Sequence, residues 1–274
     1  MIIKALVENT ASDADYSCEH GLSLYIETEK HKLLFDMGAS GLLADNAAKM
    51  GVNLGKVDLA VISHGHHDHG GGLRTFLDLN AHAKIYMHST AFEKHYGKRP
   101  AGVMEDIGLD TALLPNRRFV FTGDNLVIDD ELMLFSEVMP EKHNPSGNRD
   151  LYMADGGKII HDDFRHEQNL MIDENGKTVL VAGCAHKGIV NIINRLNMLI
   201  GRMPDYVIGG FHLYSPSFKK SEDPSVTDAI GEYLLNTGAM FYTCHCTGLE
   251  SHERLKRTMS DKLAYLSAGQ QIAI

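Results

Sequence analysis

His64-Gly65-His66-His67-Asp68-His69-Gly70-Gly71-Gly72 follows directly on the apolar run Val57 to Ser63. Within six residues the chain offers four imidazoles and one carboxylate. These are borderline ligands suited to Zn²⁺ and related ions, and the glycines allow a turn tight enough to aim them inward. One ion with open positions needs only about three or four protein ligands. Together with the histidines found further along, the donors suffice for two adjacent ions. A solvated polar loop is the competing explanation.

Outward from this stretch, other apolar runs end in the same way. Leu33-Leu34-Phe35 stops at Asp36, Thr178 to Ala182 leads into Gly183-Cys184-Ala185-His186, Asp205 to Gly210 reaches His212, and Ala239 to Thr243 reaches Cys244-His245-Cys246. Loops at the carboxyl ends of sheet strands are where α/β proteins commonly build sites. Scattered surface histidines show no such preference for strand ends. The rest of the pattern fits an α/β chain. An antiparallel meander is expected over Ile2 to Phe35, helices over Leu42 to Met50, Ile189 to Ile200 and Leu249 to Met259, and a hairpin at Glu174-Asn175-Gly176-Lys177. Phe119 to Phe135 reads as further antiparallel strands. Pattern weakens over Ala91 to Leu114 and Met139 to His166, the expected substrate-facing insertions.

Composition narrows the classes. The chain has 274 residues, 43% of them apolar, which is ample for a sizeable core and excludes a disordered tail or fibre. No Pro/Ser-rich linker interrupts it, so a single domain over residues 1–274 is expected. Its formal charge of -10 argues against a nucleic-acid or anionic-membrane binder. No signal segment or membrane span is evident, and a cytoplasmic location is expected. Four cysteines are too few and too irregular for a disulfide framework.

The HxHxDH pattern after an apolar strand resembles the metallo-β-lactamase superfamily, whose fold is a four-layer αββα sandwich. The resemblance runs over nearly the whole chain, since Asp36, GCAH at Gly183 to His186 and the CHC segment follow in the family's order. EHGLS at Glu19 to Ser23, GCAHKGIVNI at Gly183 to Ile192 and GGFHL at Gly209 to Leu213 resemble more narrowly the branch named after dihydropterin ribofuranosyl-aminobenzene phosphate synthase. The resemblance implies that His64, His66 and His186 hold one ion and Asp68, His69 and His245 the other, with Asp36 orienting the histidine loop from behind. Zn²⁺ is the expected metal, two ions per chain, with Fe or Mn as alternatives. His67 falls at the variable position and is expected to face solvent or substrate.

One departure stands out. Where many members of the superfamily place a bridging Asp, this chain has His212, which is read as either a metal ligand or a hydrogen-bond donor to substrate. If the Cys244-His245-Cys246 segment stays extended, its thiols point away from the face of His245. Buried inert thiols are then expected, Cys184 included. Arg149, Lys219, Lys220 and His20 are expected to receive an anionic group of the substrate, with Lys98, Arg99, His166 and Glu167 as weaker members of that set.

These residues imply a metal-dependent hydrolase that uses a metal-activated hydroxide on a small phosphoester or ester. Asp68 and His212 are its catalytic residues, one orienting the attacking oxygen and the other donating to the developing oxyanion or the leaving group. The partner is a small anionic molecule, with homo-oligomerisation left open. Two rivals remain. One is a condensing synthase joining a dihydropterin diphosphate to an aminobenzene ribose phosphate, and the other is a non-catalytic metal-binding sensor. A redox diiron role is disfavoured, because His66 stands where diiron relatives carry Glu and the chain has no room for a flavin domain.

Overall fold

The apolar run before the histidine motif forms a short strand, Leu59–Val61, buried along its whole length. It lies inside a seven-stranded sheet in the order Gln271–Ala273, Ile2–Val7, Ser23–Glu27, Lys32–Phe35, Leu59–Val61, Lys84–His88, Phe119–Thr122. The computed structural model describes residues 1–274 and divides into two units. This sheet belongs to the first, formed by Met1–Glu93, Ile107–Gly123 and Leu266–Ile274. Its strands are antiparallel from the Gln271 edge as far as Lys32–Phe35. From there to the Phe119 edge they are parallel.

Helices Leu42–Lys49 and Leu73–Leu79 cover one face of this sheet. Leu43, Ala47, Leu73 and Phe76 from the helices pack with Leu34, Ala60, Ile62 and Ile85. Residues of the opposite face, including Ile3, Leu24, Ile26, Leu33 and Phe35, are fully buried as well. Burial on both faces explains why these strands read as continuous apolar runs rather than alternating ones.

The second unit comprises Lys94–Asp106 and Asp124–Tyr265. Its main sheet runs Leu263–Tyr265, Met240–Thr243, Tyr206–Gly209, Lys177–Val181, Asn169–Glu174, Leu132–Phe135, Asn125–Val127. The first four strands are mutually parallel and the rest antiparallel. The expected hairpin joins Asn169–Glu174 to Lys177–Val181, and both Asn175 (φ 54°) and Gly176 (φ 78°) adopt the left-handed backbone that its two-residue turn requires. Helices Ile189–Ile200, Pro224–Asn236 and Leu249–Met259 cover this sheet, joining Ile192, Ile193, Leu196, Ile230, Leu234 and Leu255 to Leu180, Val207 and Phe241.

Two expectations need revision. Within Phe119 to Phe135, Asn125–Val127 and Leu132–Phe135 pair antiparallel as expected, but the Phe119 run does not join them. Phe119–Thr122 joins the first unit's sheet in parallel with Lys84–His88, while Leu132–Phe135 lies antiparallel between strands of the second unit. The turn-rich residues between them carry the chain from one unit to the other, which periodicity alone does not register. The weakly patterned segments also hold regular structure. His95–Lys98, Met104–Asp106, Leu151–Asp155 and Lys158–His161 form a four-stranded antiparallel sheet in the second unit. Lys158–His161 is exposed throughout and so carries no alternating apolar signal.

Candidate metal centre

In the first unit the chain leaves Leu59–Val61 and, after Ser63 and His64, enters the helical turn His67–Gly70. The turn puts His67 on the surface and His69 inside, while His64 and His66 are also buried. The His64 ring centroid lies 4.6 Å from that of His66 and 4.1 Å from that of His69. Asp68 Oδ2 stands 3.6 Å from His69 Nε2 and 3.2 Å from His20 Nε2. Gly72 closes the turn. A Cβ there would come within 2.7 Å of both the Ser40 carbonyl oxygen and Leu43 Cδ2, so no larger residue fits the approach of the loop to Met37–Ser40.

Asp36 is the anchor of this set. Fully buried, with a left-handed backbone (φ 58°), it accepts the Ser63 N–H and the Ser63 hydroxyl, each at 2.7 Å, and pairs with His69 Nδ1 at 2.7 Å. Ser63 Oγ in turn lies 2.8 Å from His64 Nδ1. A carboxylate partner of this kind, engaged at Nδ1, fixes ring orientation and basicity. Ser63 carries no sequence signal beyond its place between the strand and His64.

In the second unit three adjacent parallel strands, Lys177–Val181, Tyr206–Gly209 and Met240–Thr243, end on one edge and deliver Cys184 and His186, His212, and His245. The chain leaves each strand through a strained residue. Ala185 (φ 57°), His212 (φ 49°) and His245 (φ 51°) are all left-handed without being glycine. Such strain persists only where the surroundings over-determine it, and it concentrates at functional sites.

His186 is the best supported of these histidines. Its Nδ1 faces Asn148 Oδ1 at 2.9 Å, its carbonyl accepts from Asn148 Nδ2 at 2.7 Å, and its ring stacks on Phe164 with centroids 4.4 Å apart. Glu167 accepts the N–H groups of His186 at 2.6 Å and Lys187 at 3.0 Å. Burial pushes the Glu167 carboxyl up to about 7, against the opposing pull of those two N–H donors. The His212 ring centroid lies 4.2 Å from that of His186, and His212 Nδ1 is buried with no hydrogen-bond partner.

The expected alternation of side chains around His245 does not occur. The strand stops at Thr243, and His245–Thr247 turn as a 3-10 helix, so strand geometry no longer sorts the thiols from the imidazole. Cys246 Sγ accepts the backbone N–H of His212 at 3.2 Å. Despite burial, its thiol is held well below the usual range by Cys184, His245 and His212. Cys244 is fully buried.

A cleft of about 240 Å³ opens beside His212, lined among others by Gly147, Arg149, Tyr214, Lys220 and Glu222. The other expected substrate residues are dispersed. Lys219 is not part of the cleft lining, and His20 stands beside Asp68 in the first unit. Lys98 is exposed, and Arg99 is engaged with Glu105 and Ser217. His166 packs against His95 and shares Asp162 with it. Glu167 serves backbone N–H groups rather than the cleft.

Comparison with known proteins agrees with this architecture. Residues 17–106 match the family model of the metallo-beta-lactamase superfamily. A crystal structure of a metal-dependent hydrolase of the β-lactamase superfamily superposes with a TM-score of 0.84 at 26% identity, covering 100% of this chain and 99% of that one. The chain thus resembles the metallo-β-lactamase superfamily, in its family-model match over residues 17–106 and in its fold over the full length. Its α/β sandwich class follows from the same comparison.

Two proteins of Methanocaldococcus jannaschii are similar over essentially the full length. One is 27% identical and uncharacterised, with 100% of both chains aligned. The other, 25% identical over 98% of this chain and 95% of its own, is named 7,8-dihydropterin-6-methyl-4-(beta-D-ribofuranosyl)-aminobenzene-5'-phosphate synthase. Superfamily and relatives together point to an enzyme, a hydrolase or a related transferase. The superfamily implies a divalent metal, and the donor chemistry of each unit suits one. Within the first unit they are imidazoles and a carboxylate, and within the second they are imidazoles and thiols.

Proposed function

We propose that the protein is a metal-dependent hydrolase acting on a small anionic phosphoester or ester. The observation that carries this reading is the cleft in which His212 shares a wall with Arg149 and Lys220. A cationic guanidinium and ammonium suit a phosphate or carboxylate, and an imidazole beside them suits an oxygen on which charge develops. The proposed metal donors are His64, His66, Asp68 and His69 in the first unit and His186, His212 and His245 in the second, serving two ions of the zinc class. Such ions supply Lewis-acid activation of water and of the electrophilic oxygen.

The protein's own groups do the rest. Asp36 and Ser63 hold the imidazoles of the first unit from behind, as Asn148 and Phe164 hold His186. Asp68 orients the attacking oxygen, and His212 donates a hydrogen bond to the oxyanion or leaving group. Arg149 and Lys220 bind the anionic end of the substrate.

Metal-reconstituted protein assayed on a panel of phosphomonoesters, phosphodiesters, esters and lactones should turn over at least one class. His66→Ala and Asp68→Ala should lose the metal held by the first unit's donors and turnover together. Arg149→Ala should raise KM by about tenfold, the effect of one charge-assisted hydrogen bond, while leaving kcat in place. Full activity in metal-stripped protein overturns the reading.

The full-length similarity to the named synthase favours a second reading, a transferase that condenses a pterin diphosphate with an aminobenzene ribose phosphate. Incubation with those two compounds separates the readings. Condensed product with release of diphosphate selects the transferase, and simple hydrolysis of either compound selects the hydrolase.

A further inference from the structure

Cys184 sits at the centre of the second unit's donors. Its Sγ lies within 4.8 Å of a ring nitrogen of each of His186, His212 and His245, and within the same distance of Cys246 Sγ. Cys184, His212 and Cys246 also satisfy that limit as a closed trio. Both cysteines are only 3% exposed. Two thiols from strand ends sixty-two residues apart therefore lie buried together beside an imidazole.

The backbone is shaped around the sulfur. A Cβ at Gly210 would overlap Cys246 Sγ and stand 2.9 Å from the Gly183 carbonyl oxygen, so the residue opposite the thiol has to be glycine. The His212 N–H points at Cys246 Sγ at 3.2 Å, although a neutral thiol is a weak acceptor. Backbone N–H groups directed at sulfur are the usual outer support of a thiolate that ligates metal. His212 Nδ1, buried and without a hydrogen-bond partner, completes a two-sulfur, one-nitrogen donor set. The left-handed residues Ala185, His212 and His245 flank the trio from all three strand ends.

We propose that Cys184, His212 and Cys246 form a thiolate-bearing metal site, which makes the second unit select soft or borderline ions of the Zn²⁺ class over Mg²⁺ and Mn²⁺. This rests on the proposed metal dependence and specifies which atoms of the second unit meet the ion. Binding of Zn²⁺ releases the two thiol protons to solvent and forms two metal–sulfur bonds, with no change of oxidation state.

Zn²⁺-loaded wild-type protein tests it by X-ray absorption at the zinc edge, where a sulfur shell near ~2.3 Å is expected. Cobalt-substituted protein should show thiolate-to-metal absorption in the near ultraviolet, reduced by about half in Cys184→Ser and in Cys246→Ser, since each removes one of two sulfur ligands. His66→Ala should leave that absorption intact. Bound metal with a nitrogen and oxygen shell alone overturns the thiolate site while preserving metal dependence. Absence of any stoichiometric metal overturns both. The zinc-edge measurement needs no variant and therefore decides the question even if a serine substitution fails to fold.

Discussion

The two units bring their proposed metal donors together by opposite means. In the first, the imidazoles and a carboxylate come from six consecutive residues, His64 to His69, stiffened from behind by the buried Asp36. In the second they come from three strand ends and are held by left-handed backbone, a neutral amide and an aromatic face. A contiguous motif needs one external anchor. A dispersed one needs its geometry built into every segment that contributes, and the strain at Ala185, His212 and His245 reflects that requirement.

Asp36→Ala should have the largest effect and break the comparison at its first term. It leaves the Ser63 N–H, the Ser63 hydroxyl and His69 without their buried acceptor, and a loss of about 4 kcal/mol is expected in urea unfolding of metal-free protein. Less than about 1 kcal/mol would show that the loop is self-supporting. Next in size come the glycines. Gly72→Ala and Gly210→Ala should each cost about 3 kcal/mol by steric overlap. Gly210→Ala should also weaken metal binding in the second unit, which equilibrium dialysis against Zn²⁺ would read.

Asn148→Ala sharpens the contrast between a charged and a neutral anchor. It removes both hydrogen bonds to His186, so a loss of about tenfold in zinc affinity is expected, at the low end for an outer-shell partner. The thermal midpoint should move by only a few degrees, about what 1 kcal/mol produces in a chain of this size.

The smallest effect concerns His252, on the helix Leu249–Met259 of the second unit. Burial disfavours its protonated form and holds its pKa below the usual histidine value, and its ring meets Tyr265 edge-on at 5.1 Å. An unfolded chain takes up this proton near pH ~6.5. Stability from this group is therefore complete above that value and falls as pH drops toward the folded pKa. His252→Phe should remove that portion of the acid loss, less than about 1 kcal/mol, seen as a flatter dependence of unfolding free energy below pH ~6.5. An unchanged slope would place the acid sensitivity elsewhere.

The same contrast explains what could be read before the structure was known. The first unit's donors are adjacent in the chain, and the Asn175-Gly176 turn declares its backbone in two residues. The ends of the second unit's parallel strands were visible because each apolar run stops at a histidine. The placement of the thiols was hidden, because it depends on the strand ending at Thr243 and the chain turning at His245, a change of backbone that apolar patterning does not encode. Asn148 and Phe164 were hidden for another reason. They reach His186 across the fold from a polar, weakly patterned segment whose own strands are largely exposed.

That segment has a practical implication for anyone reshaping this catalyst. Because Leu151–Asp155 pairs with both His95–Lys98 and Lys158–His161, the stretches around residues 95–106 and 151–161 are hydrogen-bonded into a single ribbon despite lying some fifty positions apart. Transplanting one without the other would sever a ladder, so swaps between homologues should exchange both as a cassette.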